Sequence, residues 1–159
     1  MQPVSTLIEP KEFDFAVEIL RAFFRRKGFI EVPTQHRPGI LAACEDPSTI
    51  ATFTYSGLTW PLPQTGQMWL EYELLRDPDT PGFYCVSYSF RQEPNPVPGR
   101  HDLTFPMLEF ELKGNMNTLL LLEKELITFL GFGSYVEKDY RELAQMYNVS
   151  ELKAEHETR

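Results

Sequence analysis

The stretch Ser89–Glu111, SFRQEPNPVPGRHDLTFPMLEFE, admits few folds. Apolar residues alternate over Tyr84–Phe90, and alternation resumes at Leu103, Phe105 and Met107, so the spacing predicts two β-strands. Pro94, Pro96, Pro98 and Gly99 lie between them, where they stop both strands and stiffen the connection. An antiparallel hairpin with a long, stiff tip results. Side chains two apart on a strand share a face. Arg91 and Glu93 therefore project together from the end of the first strand, and Arg100–His101 stands at the entry to the second. Glu109 and Glu111 continue the face of Phe105 and Met107 if no bulge intervenes. Two arginines beside an aromatic ring suit an anionic ligand that carries a flat base, because guanidinium forks match carboxylate and phosphate oxygens.

The flanking chain supplies helices. Phe13, Ala16, Val17, Leu20 and Phe24 recur at helical spacing within Lys11–Lys27, with Phe15, Ile19 and Phe23 widening the stripe. Gly28 stops this helix, and Phe29–Val32 reads as a short strand closed by Pro33. Thr34–Ser48 reads as a loop. Ile50–Tyr55 and Leu58–Leu62 read as a strand pair turning at Gly57, with Pro61 and Pro63 marking an edge or an early end. A helix is expected over Gly66–Arg76 with Thr65 as its cap, another over Asn117–Leu130 on the stripe Leu119, Leu122, Leu126 and Phe129, and a last one over Glu137–Tyr147. No internal repeat or low-complexity linker breaks the pattern.

The hairpin residues resemble motif 2 of the class II aminoacyl-tRNA synthetases, closest in the subclass handling asparagine, aspartate and lysine. That motif runs hydrophobic strand, Phe-Arg-x-Glu, variable loop, Arg-His, then a strand with Phe and a Glu-rich end. Phe90, Arg91, Glu93, Arg100, His101, Phe105 and Glu109 fill it in order. The helix–Gly–Phe–strand–Pro order of Lys11–Pro33 resembles motif 1, whose helix and strand build a dimer interface. Thr65, Gly66, Gln67, Met68 and Glu71 resemble the Ser-Gly-Gln-Leu-x-x-Glu segment before motif 2 in asparaginyl-type enzymes, with Thr in place of Ser. Glu45 stands where the subclass has a Glu-Gly-Gly loop that closes on the amino acid, but Glu45-Asp46-Pro47 lacks the glycines. His156–Glu157 resembles a Glu-His-Glu stretch downstream of motif 2. Motif 3, with its clamping arginine, has no counterpart after Glu111, and neither does the acidic Mg²⁺ ligand between motifs 2 and 3. No anticodon-reading OB-fold fits ahead of motif 1.

The resemblance implies an α+β fold, an antiparallel β-sheet flanked by helices, with residues 1–159 forming a single domain: the N-terminal part of a class II synthetase-like catalytic core. It implies ATP-dependent activation of an amino acid, asparagine or aspartate, with ATP and Mg²⁺ as cofactors. In that scheme Arg91 is the catalytic residue and touches the substrate carboxylate and the α-phosphate. Arg100 and His101 hold the outer phosphates, Glu93 accepts from the adenine amino group, and Phe105 stacks on the ring. Gln67, Glu71 and Glu45 border the amino acid. No residue is assigned as a metal ligand. A homodimer is implied as well. An ammonia-dependent, asparagine-synthesising enzyme and a non-catalytic truncated paralogue acting as a binding module stay open beside tRNA ligation.

Composition narrows the partners. Apolar content of 42% with 13% aromatics argues for a globular domain rather than disorder. A net charge of −8, with Arg25-Arg26-Lys27 as the only basic cluster, opposes broad contact with nucleic acid phosphate, so contact with tRNA is expected to be weak and non-selective. Two cysteines without metal-ligand spacing read as reduced thiols, and a cytoplasmic location follows. No leader is evident, and the apolar cluster Leu119–Leu122 is too short to span a bilayer, so no membrane association is expected.

Overall fold

The structure, a computed structural model, describes residues 7–34, 42 and 44–148. The resemblance at His156–Glu157 lies outside the described residues. The chain divides into two compact units, 1–121 and 122–159.

In the first unit, helix α1 spans Pro10–Arg26. The Glu9 side chain accepts the Lys11 N–H at 3.3 Å, and Pro10 occupies a position whose missing N–H costs nothing. Of the expected stripe, Val17, Phe23 and Phe24 are buried, whereas Phe15 and Ala16 are exposed. The chain then enters strand β1, Ile30–Glu31, which runs parallel to strand β4, Gly82–Phe90. Strand β5, Thr104–Leu112, pairs antiparallel with β4, giving the sheet order β1-β4-β5. The antiparallel pair expected from the sequence is present; β1 adds a parallel edge to it.

Register from Gly82↔Leu112 to Phe90↔Thr104 is one for one, without a bulge. Phe83, Cys85, Ser87 and Ser89 therefore share a face with Glu111, Glu109, Met107 and Phe105. Tyr84 and Phe110 point the other way and meet α1. Phe24, fully buried, stacks on Tyr84 with centroids 5.2 Å apart and lies 5.0 Å from Phe110 and 5.3 Å from Phe29. This aromatic group is the core on one side of the sheet.

The other face is covered by helix α2, Gln67–Arg76, whose Leu70 packs with Val32, Phe83 and Cys85, flanked by Trp69 and Leu74. The helix starts one residue later than expected because Gly66 takes the N-cap position, while the Thr65 hydroxyl accepts the Gln67 N–H at 3.0 Å. Ahead of it, strands β2, Thr52–Tyr55, and β3, Leu58–Pro61, form a hairpin. Its turn residues Ser56 and Gly57 both have positive φ, +52° and +77°, as a two-residue hairpin turn demands.

Helix α3, Met116–Phe129, crosses from the first unit into the second. Leu122 is its buried residue, and Leu119, Leu126 and Phe129 are half-buried, which matches the expected stripe. Helix α4 is shorter than expected, Tyr140–Met146. A capping box sets its start: Asp139 accepts the Glu142 N–H at 2.9 Å, and the Asp139 N–H returns to Glu142 at 2.8 Å. Glu137, placed in the helix by sequence, instead precedes it and pairs with Lys124. No helix among the described residues is long and apolar enough to cross a membrane.

Candidate active site

Past the end of β4 the chain stays anchored. The Arg91 N–H donates to Leu103 O at 2.8 Å, and the Gln92 N–H donates to Thr49 O at 2.8 Å. Arg91 is half-buried and folds back along its strand, where its Nε–H donates to Ser89 Oγ at 3.0 Å. Ser89 Oγ in turn donates to Gln64 O at 2.8 Å. Ser89 and Gln64 are both fully buried. The Gln64 amide is pinned as well: Nε2 donates to Thr49 Oγ1 at 2.9 Å, and Oε1 accepts the Asp46 N–H at 3.2 Å and lies 3.5 Å from Arg91 Nη1. The guanidinium is thus oriented by a buried polar network that local sequence patterns did not reveal.

Phe105 is half-buried and pairs opposite Ser89, on the same face of the sheet. Glu93 is half-buried two residues beyond Arg91. Arg100 and His101 are exposed on the loop. There Val97 O accepts both of their N–H groups, at 3.1 and 2.9 Å, and His101 Nδ1 accepts the Val97 N–H at 3.3 Å.

Past the Thr65–Gly66 turn, Gln67 begins α2. Gln67 Nε2 donates to Glu71 Oε1 at 3.1 Å, and Gln67 Oε1 accepts from Cys44 Sγ at 3.0 Å. Glu111 lies close by: burial raises its pKa above the usual carboxylate range, the Glu71 charge adds to the rise, and a hydrogen bond from Gln67 opposes it. Glu109 accepts from three donors: the Thr65 hydroxyl, the Gly66 N–H at 2.6 Å and Ser87 Oγ at 3.1 Å. Arg91 is therefore held at Ser89, whereas the Thr65–Gly66 turn is held by Glu109 and lies against Cys85, farther back along β4.

Glu45 is buried and accepts the Ala42 N–H at 2.7 Å and the Gln64 N–H at 3.3 Å. It also borders a pocket of about 680 Å³ between the β2–β3 hairpin, the start of α2 and β4, lined by Trp60, Thr65, Gly66, Trp69 and Tyr88 among others. Arg91 and Phe105 do not line this pocket.

Among the described residues, no group of three or more His, Cys, Asp or Glu side chains is placed to hold a metal ion. Glu109 already has donors on both oxygens and does not fit as a direct metal ligand.

This arrangement of helices and sheet has the fold of a class II aminoacyl-tRNA synthetase catalytic core, present in part. Among solved structures, the chain is similar to asparaginyl-tRNA synthetase from Pyrococcus horikoshii in complex with asparaginyl-adenylate, at 24% identity and TM-score 0.60 over 74% of this chain. It is also similar to asparaginyl-tRNA synthetase from Entamoeba histolytica in complex with asparaginyl-adenylate, at 20% identity and TM-score 0.58 over 83% of this chain. A third is a putative aspartyl-tRNA synthetase from Leishmania major Friedlin, at 22% identity and TM-score 0.54 over 72% of this chain. The chain spans 26%, 26% and 21% of those three proteins, respectively. No protein-family model and no curated protein matches it.

Proposed function

We propose that this chain carries the part of a synthetase-like site that activates an amino acid with ATP, asparagine or aspartate being the substrate. The supporting observation is the buried Gln64–Ser89 network that fixes the Arg91 guanidinium over the sheet. Activation brings a carboxylate against the α-phosphate of ATP, so a fixed cation is needed where two anions converge. The amino acid is already ionised at neutral pH, and no general base is required. A carboxylate oxygen forms the new bond to the α-phosphorus. The bond from that phosphorus to the bridging oxygen breaks, and pyrophosphate leaves with the electron pair. Arg91 bridges the two reacting anions. Arg100 and His101 Nε2 meet the outer phosphates, Glu93 accepts from the adenine amino group, and Phe105 stacks on the base.

In this reading Gln67 Oε1 and Glu71, just past the Thr65–Gly66 turn, accept from the substrate ammonium, and Glu45, which accepts the Gln64 N–H, stands just before that turn. A carboxylate at Arg91 and an ammonium near Gln67 match the two ends of an α-amino acid. Asparagine is favoured because two of the similar structures hold asparaginyl-adenylate. Amino-acid-dependent exchange of pyrophosphate into ATP, assayed with each amino acid in turn, tests the proposal. Exchange with asparagine or aspartate is expected. Exchange with none leaves a binding module. With exchange established, acid-precipitable aminoacyl-tRNA identifies tRNA as acceptor, and ammonia-dependent formation of asparagine from aspartate identifies the synthetic branch.

A further inference from the structure

We propose that Glu109 is a positioning residue: its carboxylate clamps the Thr65–Gly66 turn against β4 and so sets where Gln67 stands. The first N–H groups of a helix have no partner within it, and Gly66 at the N-cap has no side chain to offer. Glu109, from β5, supplies what the cap lacks. It accepts the Gly66 N–H at 2.6 Å and the Thr65 hydroxyl, and it is itself tied to β4 through Ser87 Oγ at 3.1 Å. The Thr65 oxygen then accepts the Gln67 N–H at 3.0 Å, so the clamp reaches Gln67 in two hydrogen bonds. A carboxylate at a helix N-terminus is also favoured by the helix dipole.

The turn sits flush on the sheet. A Cβ on Gly66 would lie 2.5 Å from Cys85 Sγ and 3.2 Å from Glu109 Oε2, so only glycine allows the approach that the short Gly66–Glu109 bond requires. Gln67 begins α2 directly after this turn and holds Glu71 and Cys44 through its amide. A shift of the turn moves all of them relative to Arg91, whose Nε–H is bonded to Ser89 on β4. Glu109 thereby sets the distance between the two ends of the site. Its part in the reaction rests on the amino-acid-activating reading above; the clamp itself does not.

Amide hydrogen exchange on the whole chain, wild type against Glu109→Gln and Glu109→Ala, tests the clamp without reference to activity. In Glu109→Ala the Gly66 and Gln67 amides are expected to exchange about 10- to 100-fold faster, as loss of a charge-assisted hydrogen bond implies. The β4–β5 ladder amides and the Phe90 amide, bonded to Pro63 O, keep their protection. Glu109→Gln keeps an oxygen for the Gly66 N–H and restores most of it. Should Glu109→Ala not fold, Thr65→Val, which removes one donor, is expected to release the Gln67 amide alone. Unchanged Gly66 and Gln67 amides, or equal loss across the ladder, overturns the clamp. In pyrophosphate exchange, Glu109→Ala is expected to raise the amino-acid KM about 10-fold at constant ATP KM, with rescue by Gln. Released amides with an unmoved amino-acid KM overturn the positioning role. A wild type without exchange refutes the functional reading instead, and the amide comparison still decides the clamp.

Discussion

The Arg91 Nε–H donates to the hydroxyl of Ser89, two residues back on the same face of β4, at 3.0 Å. Because Ser89 spends its own hydrogen on Gln64 O, its lone pairs face the guanidinium. Ser89→Ala is therefore expected to leave Arg91 free to swing and to lower adenylate formation about 10-fold, in line with one lost hydrogen bond to a charged group. Pyrophosphate exchange measures it, with the far-ultraviolet circular dichroism spectrum unchanged.

Acid stability is expected to hinge on Glu31. Its carboxylate accepts from Arg21 Nη2 at 2.6 Å, from Arg21 Nε at 3.0 and 3.1 Å across both oxygens, and from the Tyr84 hydroxyl at 3.2 Å. The Arg21 hydrogen bond holds its pKa below the usual glutamate range. A depressed folded-state pKa means that the stabilisation is complete above the unfolded value and is lost as pH falls through the folded one. Glu31→Gln should flatten this acid limb and cost about 1–2 kcal/mol at neutral pH, the low end for charged hydrogen bonds because the pair is partly exposed. Urea denaturation across the acid range checks both.

Glu111 acts with the opposite sign. Burial, then the Glu71 charge, raises its pKa, so the folded state holds this proton more tightly than the unfolded chain does. Stability from this group is present below the unfolded value and is lost as pH rises through the folded one. Glu111→Gln should remove that loss and raise the neutral-pH urea midpoint; a lowered midpoint would show that the ionised carboxylate is needed.

The two thiols should differ sharply. Burial, with the Glu109 charge added, pushes Cys85 up to about 12, whereas Cys44 is exposed and donates to Gln67. Iodoacetamide is expected to label Cys44 in the native protein and Cys85 only after unfolding. A bound amino acid should slow Cys44 labelling. Peptide mass mapping of the alkylated chain reads both outcomes.

A homodimer is expected to use the apolar side chains that α1 and β1 leave outside the core, Phe15 at 68% exposure and Ile30 at 49%. Sedimentation equilibrium at tens of micromolar should give a dimer, and Phe15→Glu should shift it to monomer. A monomeric wild type at that concentration contradicts the assembly.

Legibility in the sequence followed the range of the forces involved. The β4–β5 hairpin was readable because alternation, prolines and an unbulged register are local properties, and Arg91 and Phe105 fell on one face for that reason. The direction of β1 was not, since a two-residue strand carries no pattern that distinguishes parallel from antiparallel pairing. The roles of Ser89, Gln64 and Glu109 depend on hydrogen bonds between residues 22 to 44 positions apart, which no local spacing encodes. The start of α4 was within reach: Asp139-x-x-Glu142 is a capping-box pattern, and it outweighs the charged residues before it.

Substitution of Arg91 tests the central claim most directly. In amino-acid-dependent pyrophosphate exchange, with the fold confirmed by circular dichroism and the urea midpoint, Arg91→Ala is expected to lose roughly 30- to 1000-fold, as removal of a fixed cation from a site of developing charge implies. Exchange in Arg91→Ala at the wild-type rate would contradict the assignment of this hairpin as the site where carboxylate and α-phosphate meet.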